Sequence, residues 1–398
     1  MEKGLRIIFA GGGTGGHVYP ALAVAEAFAA RHDRFEALFT GTRAGLEAKV
    51  VPEAGHRIVF ISSRGVRGRG FTGKIGTMFR LAAGIVESSV IIARFKPDLV
   101  FGSGGYASAA TVMAAAILGR RIVIQEQNSV PGLANRVLAR RAERVYIGFK
   151  EAAVRFGGRK GVVFTGNPLR RGIARIAGPG ARSPESRREA RRIFGLSGDK
   201  PVLLVFGGSQ GARTLNRAAA GYLLSDERVQ GIIQTGRKDF AEMKSLLEPA
   251  GARVFLAEYI SNIDSAYMAA DAALARSGAL SCAELTAVGL PCVLVPYPFS
   301  ADDHQAGNAG ALVGAGGAVM ISDRDLDENS LGRALAGMIH DPSALSRMGE
   351  SLRTLHVGDS AEIIARDIED LLGIPGRSGR DAGRTEACGR VEGTCDAR

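Results

Sequence analysis

Short apolar runs rich in Val, Ile, Leu and Phe recur along the chain, and between them lie longer stretches whose apolar residues repeat at helical spacing. Continuous runs of this length read as strands buried on both faces, and strands separated by helices build parallel sheets. The pattern places strands at 5–10, 36–40, 58–62, 98–102, 121–126, 143–148 and 161–165. A charged stretch follows, and the alternation restarts with strands at 201–206, 229–234, 252–257, 271–275, 291–295 and 317–321. Two doubly wound α/β domains result, and 398 residues suit two such cores plus a tail.

No apolar run reaches the roughly 18 residues of a membrane span. The longest, Tyr106 to Gly119, is interrupted by Ser108 and Thr111 and reads as a buried helix. The first apolar run stops at Gly11, too early for a secretory leader, so the expected compartment is the cytosol. Four cysteines do not make a disulfide scaffold in a chain of this size. Cys282 and Cys292 fall in segments that read as buried, while Cys388 and Cys395 sit in the tail without metal-ligand neighbours.

The formal net charge of +11 is unevenly placed. Residues 1–168 hold 24 Lys and Arg against 11 Asp and Glu, whereas the remainder hold 27 against 29. A basic first half implies an anionic partner, either nucleic acid or an acidic membrane surface. The run from Ser63 to Phe71 carries Arg64, Arg67 and Arg69 and leads into Lys74, Ile75, Met78, Phe79, Arg80, Leu81, Ile85 and Val86. Apolar residues at helical spacing beside cations fit a helix lying on a bilayer, docked through Arg64, Arg67, Arg69, Ile75, Phe79 and Arg80. They fit equally an amphipathic helix packed on the sheet with a solvated basic rim. There is no Trp, aromatics are scarce, and no RNA- or DNA-binding signature is present, which argues against nucleic acid.

The chemistry gathers just after the strands. Gly11-Gly12-Gly13-Thr14-Gly15-Gly16-His17 leaves the first one, and Pro20 suits the first turn of the helix that follows. Glycines let backbone N–H groups approach an anion at the positive end of a helix, and one titratable imidazole stands at the rim. Gly11, Gly13 and Gly16 also match the dinucleotide fingerprint G-x-G-x-x-G, which calls for a carboxylate at the tip of the second strand. That strand ends in Gly41-Thr42-Arg43 and offers none there, so the nicotinamide or flavin reading is weakened.

Two further glycine loops, Gly102-Ser103-Gly104-Gly105-Tyr106 and Gly207-Gly208-Ser209-Gln210-Gly211-Ala212, follow strands, the former opening a helix near Ala107. Each is a potential anion cradle or a tight turn, but three at equivalent strand ends favour ligand binding. Polar clusters stand at Glu126-Gln127-Asn128, Asn167-Pro168-Leu169-Arg170, Arg276 to Glu284, and Asp302-Asp303-His304-Gln305 with Asn308. Helix capping explains Ser, Asp and Asn there, but it explains Glu284 less readily.

Taken in order, these motifs resemble those of the MurG-type bacterial N-acetylglucosaminyltransferases of glycosyltransferase family 28, over about residues 1–373. The resemblance implies an α/β fold of the GT-B type, with two Rossmann-like doubly wound domains facing across a cleft. Residues 1–168 would form an acceptor and membrane-docking domain and 169–356 a UDP-sugar domain, with a helix at about 357–373 returning to the first. It further implies transfer of N-acetylglucosamine from UDP-GlcNAc to the C4 hydroxyl of undecaprenyl-pyrophosphoryl-MurNAc-pentapeptide. The chain would then be a peripheral protein on the cytoplasmic face of the bacterial membrane, with anionic lipid and cell-wall or division complex proteins as partners.

By motif match, the donor site would take the Ile260 backbone for uracil and Glu284 for the ribose. Ser209 and the helix start Ala279, Leu280, Ser281, with Cys282 and Ala283 behind it, would take the diphosphate. Arg170 and Gln305 would line that site, and Thr14, Gly15, Gly16 and Asn128 would approach from the other wall. Inversion at the anomeric carbon needs a base for the acceptor hydroxyl, and His17 is the candidate, with acceptor positioning as its other role; such a base contributes about 10²–10⁴ in rate.

No cofactor or metal is expected, because Asp323-Arg324-Asp325 reads as a helix cap rather than a metal-binding pair, and helix N-termini with Arg170 would meet the leaving-group charge. Gln125 and Tyr259 depart from the family's common His and Phe. A related lipid transferase with a diacylglycerol acceptor and a silent nucleotide-sugar scaffold at the membrane remain open. Residues 376–398, rich in Gly and Arg, read as a disordered extension.

Overall fold

A computed structural model describes residues 4–63, 71–178, 180–208 and 212–374, without the side chains of 71–77 and 301. Arg64, Arg67, Arg69, the Ile75 side chain, Ser209 and the 376–398 extension with Cys388 and Cys395 lie outside the described residues. The chain divides into two compact units, one of residues up to Arg170 together with those from Asp359 on, the other Arg171–Gly358.

The first unit holds β1 (Leu5–Gly11), β2 (Phe35–Gly41), β3 (Arg57–Phe60), β4 (Leu99–Gly104), β5 (Ile122–Glu126), β6 (Arg144–Ile147) and β7 (Val162–Phe164). They form one parallel sheet in the order β3-β2-β1-β4-β5-β6-β7. The second unit holds β8 (Val202–Phe206), β9 (Gln230–Gln234), β10 (Val254–Ala257), β11 (Ala272–Ala275), β12 (Cys292–Leu294) and β13 (Ala318–Met320). Its parallel sheet runs β10-β9-β8-β11-β12-β13. Strand order reverses between β1 and β4 in one sheet and between β8 and β11 in the other. These switch points are where open α/β sheets bind ligands.

Each strand falls on an apolar run because both faces of a parallel sheet are covered by helices. Three strand boundaries differ from the sequence pattern by two residues, and one is the end of β3, at Phe60 rather than 62. Strand β4 continues through Gly102-Ser103-Gly104, since a register shift between Ala10 and Gly11 lets Gly11 pair with Gly104, so the next helix starts at Gly105 rather than near Ala107. Strand β10 starts at Val254, because Glu248–Arg253 is a tight helical stretch broken at Gly251, whose φ is 55°.

The helix Gly15–Arg31 turns Val18, Ala21, Leu22, Val24, Ala25 and Phe28 into the core. It begins before Pro20, which lies in its second turn rather than its first, because Thr14 O already accepts from the N–H groups of His17 and Val18. Across its outer side lies the last helix, Ser360–Leu372, with Ile364, Ala365 and Ile368 fully buried in the same cluster. Burying each such isoleucine is worth about 1.5–3 kcal/mol relative to exposing it. Arg31 joins the two helices through Glu362 and both oxygens of Glu369, and His32 Nε2 meets Glu369 Oε1 at 2.8 Å. Further along, Tyr146 donates to Asp367 at 2.8 Å, and burial followed by that carboxylate raises the phenol well above its ordinary pKa.

Candidate functional site

In the first unit the glycine loop is organised by a carboxylate. Glu47, at the start of the helix Glu47–Glu53, is 1 % exposed and accepts from Gly13 N (2.8 Å), Thr42 N (2.7 Å) and Thr42 Oγ1 (3.0 Å). The loop fits around it closely: a Cβ on Gly12 would stand 2.4 Å from Glu47 Oε1. The tip of β2 therefore does have a carboxylate, delivered from six residues beyond Gly41 and turned toward the loop. With the Gly13 N–H taken by an anion of the protein itself, this loop is a poor cradle for a dinucleotide pyrophosphate.

His17 lies in the first turn of the helix at that loop. Its Nδ1 is 3.0 Å from Ser103 O and 3.2 Å from Gln127 Oε1. A carbonyl oxygen only accepts, so Nδ1 carries the proton and Nε2 is left as the lone-pair nitrogen. Gly104 makes room for the ring: its φ is +99°, and a Cβ there would stand 2.7 Å from His17 Nδ1. Behind it runs a buried amide chain in which Gln127 Nε2 donates to Ser103 O (2.7 Å) and to Gln125 Oε1. Gln125 Nε2 in turn donates to Asn167 Oδ1 (2.8 Å), and Asn167 Nδ2 donates to Gln127 O (2.9 Å).

Asn128 stands on the same loop, its backbone N–H and Nδ2 both bonded to the buried Glu126 Oε1 at 2.9 and 3.2 Å. Arg170 places its guanidinium over the Tyr19 ring, 5.1 Å from the centroid. Thr14, Gly15, Gly16, His17 and Asn128 are thus gathered around the β1–β4 switch point, with Arg170 beside the same helix.

In the second unit the helix Ala279–Val288 starts behind Gly278 with no side-chain cap and no acid in its first turn. Cys282 N bonds to Gly278 O, so the N–H groups of Ala279, Leu280 and Ser281 are those that precede the helical ladder, and the helix dipole adds positive potential there. The helix Arg213–Ser225 after the third glycine loop is built alike, behind Ala212. Side-chain caps do occur in the fold, by Ser183, Asp327, Asp341 and Asp359, whereas several helices that follow strands, Gly15–Arg31 and Gly105–Ile117 among them, also start without one. An uncapped N-terminus at a switch point is a ready anion site.

Around it, Ser277 Oγ donates to Gln305 O (2.8 Å), Asn308 Nδ2 to Ser277 O (3.1 Å), and Gln305 Oε1 accepts from Tyr297 N (2.9 Å). Glu284 is 3 % exposed, with Oε2 accepting from Tyr267 Oη at 3.0 Å. Ile260 is buried and its N–H donates to Gln234 Oε1 at 3.0 Å. Ala283 is half-buried on the 279–288 helix. The Cys282 thiol faces the core, and burial alone pushes its pKa up.

Asp323 and Asp325 do not cap a helix. Asp323 pairs with Arg276 at 2.6 Å, Asp325 accepts from Ser322 Oγ at 2.5 Å, and the cap of the next helix is Asp327, which with Ser330 forms a reciprocal capping box. Among the described residues, no group of three or more His, Cys, Asp or Glu is gathered to hold a metal ion. Sequence reading missed Glu47, Gln234 and Tyr267, and it cited Gln127 only as part of a motif. A search for acids extended past the strand tip to the next helix would have found the first.

The helix Phe71–Phe95 buries Ile92 and leaves Met78 (69 %), Phe79 (73 %) and Val86 (65 %) exposed. It packs on the helix Gly105–Ile117, which packs on Leu133–Leu138, and these two expose Ile117, Leu133 and Val137. Arg80, Arg136 and Arg140 are exposed on the same three elements and their margins. The helix therefore packs on the fold by one side and presents an apolar, cation-flanked surface on another. No helix among the described residues is long and apolar enough to cross a membrane.

Comparison with known proteins agrees over both units. The glycosyltransferase family 28 N-terminal domain matches residues 7–147, and the family's C-terminal domain matches 202–363. The UDP-N-acetylglucosamine--N-acetylmuramyl-(pentapeptide) pyrophosphoryl-undecaprenol N-acetylglucosamine transferase of Chlorobium luteolum is 41% identical, over 92% of this chain and 99% of its own. Its Chlorobaculum tepidum counterpart is 40% identical over the same shares. Among solved structures, Acinetobacter baumannii MurG superposes with a TM-score of 0.72 at 28% identity, covering 93% of this chain and 100% of its own. The calicheamicin glycosyltransferase CalG4, at 19% identity and a TM-score of 0.67, shares the fold. With both of its domains matched in order and relatives near 40% identity along almost the whole length, the chain belongs to glycosyltransferase family 28.

Proposed function

We propose that this enzyme transfers N-acetylglucosamine from UDP-N-acetylglucosamine to the C4 hydroxyl of undecaprenyl-pyrophosphoryl-MurNAc-pentapeptide, inverting the anomeric carbon. The observation that carries the reading is the His17 imidazole, fixed by a main-chain carbonyl as the tautomer with a basic Nε2, in a chain whose relatives bear that transferase's name. Nε2 takes the proton of the C4 hydroxyl as its oxygen attacks C1, and the bond from C1 to the UDP oxygen breaks. A base of this kind contributes about 10²–10⁴ in rate.

The diphosphate is received by the N–H groups at Ala279–Ser281 and the dipole behind them. Glu284, steadied by Tyr267, accepts from ribose hydroxyls. Because the Ile260 N–H is already bonded to Gln234, its carbonyl is the atom that meets the uracil.

The lipid acceptor is reached from a membrane surface. Met78, Phe79, Val86 and Ile117 enter the acyl boundary while neighbouring arginines meet anionic headgroups, which makes this a peripheral protein of the cytoplasmic leaflet. The test is an acceptor assay with labelled UDP-N-acetylglucosamine. Transfer to the undecaprenyl-linked muramoyl acceptor and not to diacylglycerol is expected. Transfer to diacylglycerol alone overturns the acceptor, and donor binding with transfer to neither overturns the enzyme reading in favour of a scaffold.

A further inference from the structure

We propose that the second unit carries a separate binding site for a phosphate-bearing anion, in an arginine-lined cavity at the edge of the sheet where β8, β11 and β12 begin. The cavity measures about 480 Å³ and is walled by the 182–201 segment, Asp271, Pro291 and the helix Pro342–Arg353. Six cations face it: Arg182, Arg187, Arg188, Arg191, Lys200 and Arg353. Only two carboxylates do, Asp199 and Asp271.

Part of this charge is structural. Arg191 donates to Ala269 O (3.0 Å), Gly198 O (2.5 Å) and Asp271 Oδ2 (2.6 Å), and Asp271 also holds Arg187 and the N–H of Val202. Those bonds tie the helix Pro184–Ile193 to the start of β8. The rest is not accounted for. The Nε–H groups of Arg182, Arg187 and Arg353 are buried with no acceptor, while Arg182 and Arg353 each give an Nη only to a carbonyl, of Ala270 and Val288.

Buried donors without partners are rare in folded proteins, and clustered cations repel one another. Burial, and then the fields of Arg187, Arg353 and Arg191, bring Arg182 down to about 9, so it is still a cation at neutral pH. Those Nε atoms are closed to solvent, so an occupant meets the arginines through their Nη groups, and what is missing there is negative charge with several acceptor oxygens. Phosphate supplies both, in a geometry matched to the guanidinium fork. The volume exceeds that of one phosphate and falls in the range of small-molecule sites, roughly 300–1,000 Å³. Because the third glycine loop follows the opposite end of β8 and the Ala279–Val288 helix start follows the opposite end of β11, an occupant here leaves both free.

A soluble phosphate compound and an anionic phospholipid headgroup share this chemistry, and two arms separate them. Full-length protein is saturated with UDP and titrated calorimetrically with inorganic pyrophosphate; in parallel it is sedimented with phosphatidylglycerol vesicles. The same is done for Arg353→Gln, which keeps bulk and removes charge, and for Arg188→Ala, an exposed residue at the cavity mouth with no strut to lose. One saturable pyrophosphate site that weakens about tenfold or more in each variant, with UDP affinity unchanged, supports a soluble ligand. Vesicle binding alone reduced in both variants assigns the site to a headgroup. If neither probe responds to either substitution, the proposal is wrong.

Discussion

Replacing Glu47 with Ala removes three hydrogen bonds to one buried carboxylate, from Gly13 N, Thr42 N and Thr42 Oγ1. Each hydrogen bond to a charged group contributes about 1.5–3 kcal/mol, but Gly13 is exposed and its N–H regains water, so the net loss comes to about 3 kcal/mol. For a unit of this size, 1 kcal/mol corresponds to about 2–4 °C, which sets the fall in its unfolding midpoint at roughly 6–12 °C. Glu47→Gln separates charge from shape. Its oxygen can still serve Thr42, but its amide then faces the Gly13 N–H donor to donor, so about half the loss is expected. Scanning calorimetry reads the midpoint, and hydrogen exchange reads protection of the Gly13 and Thr42 amides, which both variants lower. Turnover falls with it, because the loop carries His17, while UDP affinity changes by less than about threefold. A midpoint within 2 °C of the parent in Glu47→Ala would refute the view that this carboxylate holds the loop.

His17→Ala is expected to leave donor binding within about threefold by calorimetry and to lower turnover by about 10²–10⁴; parent-level turnover would remove the base assignment. Tyr267→Phe deletes the hydroxyl that donates to Glu284 at 3.0 Å and is expected to weaken UDP binding several-fold, less than Glu284→Gln does, as titration calorimetry would show. At Glu369 burial raises the carboxyl pKa, but the bonds and charges of Arg31 and His32 outweigh it and leave it lowered. Its contribution to stability is therefore full above the unfolded value of about 4.3 and lost as pH falls through the folded one, so Glu369→Gln lowers the neutral-pH midpoint by several degrees and flattens the acid side of the stability curve. Phe79→Glu, at a side chain 73 % exposed, is expected to weaken binding to anionic vesicles with no change in the unfolding midpoint; unchanged sedimentation would take this face out of the membrane contact.

The sheets were legible because a strand covered on both sides has no polar face to disguise it, and most of the β-strands coincide with a run of Val, Ile, Leu or Phe, β11 (Ala-Ala-Leu-Ala) being apolar through alanine instead. Glycines blurred the ends, since they serve both strand and loop, and Gly102 to Gly104 belong to the strand only through the shifted pairing of β1 with β4. Contacts to atoms were beyond the pattern. Ser103 O lies 86 residues from His17, and only that pairing puts a carbonyl beneath the imidazole. The Glu47 carboxylate escaped notice for the opposite reason: it is near in sequence but returns to the strand tip from the following helix. Arg276, one of the polar residues that suggested a ligand cluster, instead clamps Val295 O, Pro296 O and Asp323.

The return of the Ser360–Leu372 helix to the first unit has a consequence for synthesis. The side of the Gly15–Arg31 helix that packs on Ser360–Leu372 has its cover encoded about 200 residues after the rest of the unit ends at Arg170. At about 5–20 residues per second, a nascent chain waits roughly 10–40 s with that apolar stripe and the Arg31 guanidinium uncovered, while the second unit emerges and folds. The first half of this protein is thus completed last, and chains cut short before residue 360 carry a finished second unit and an open seam on the first.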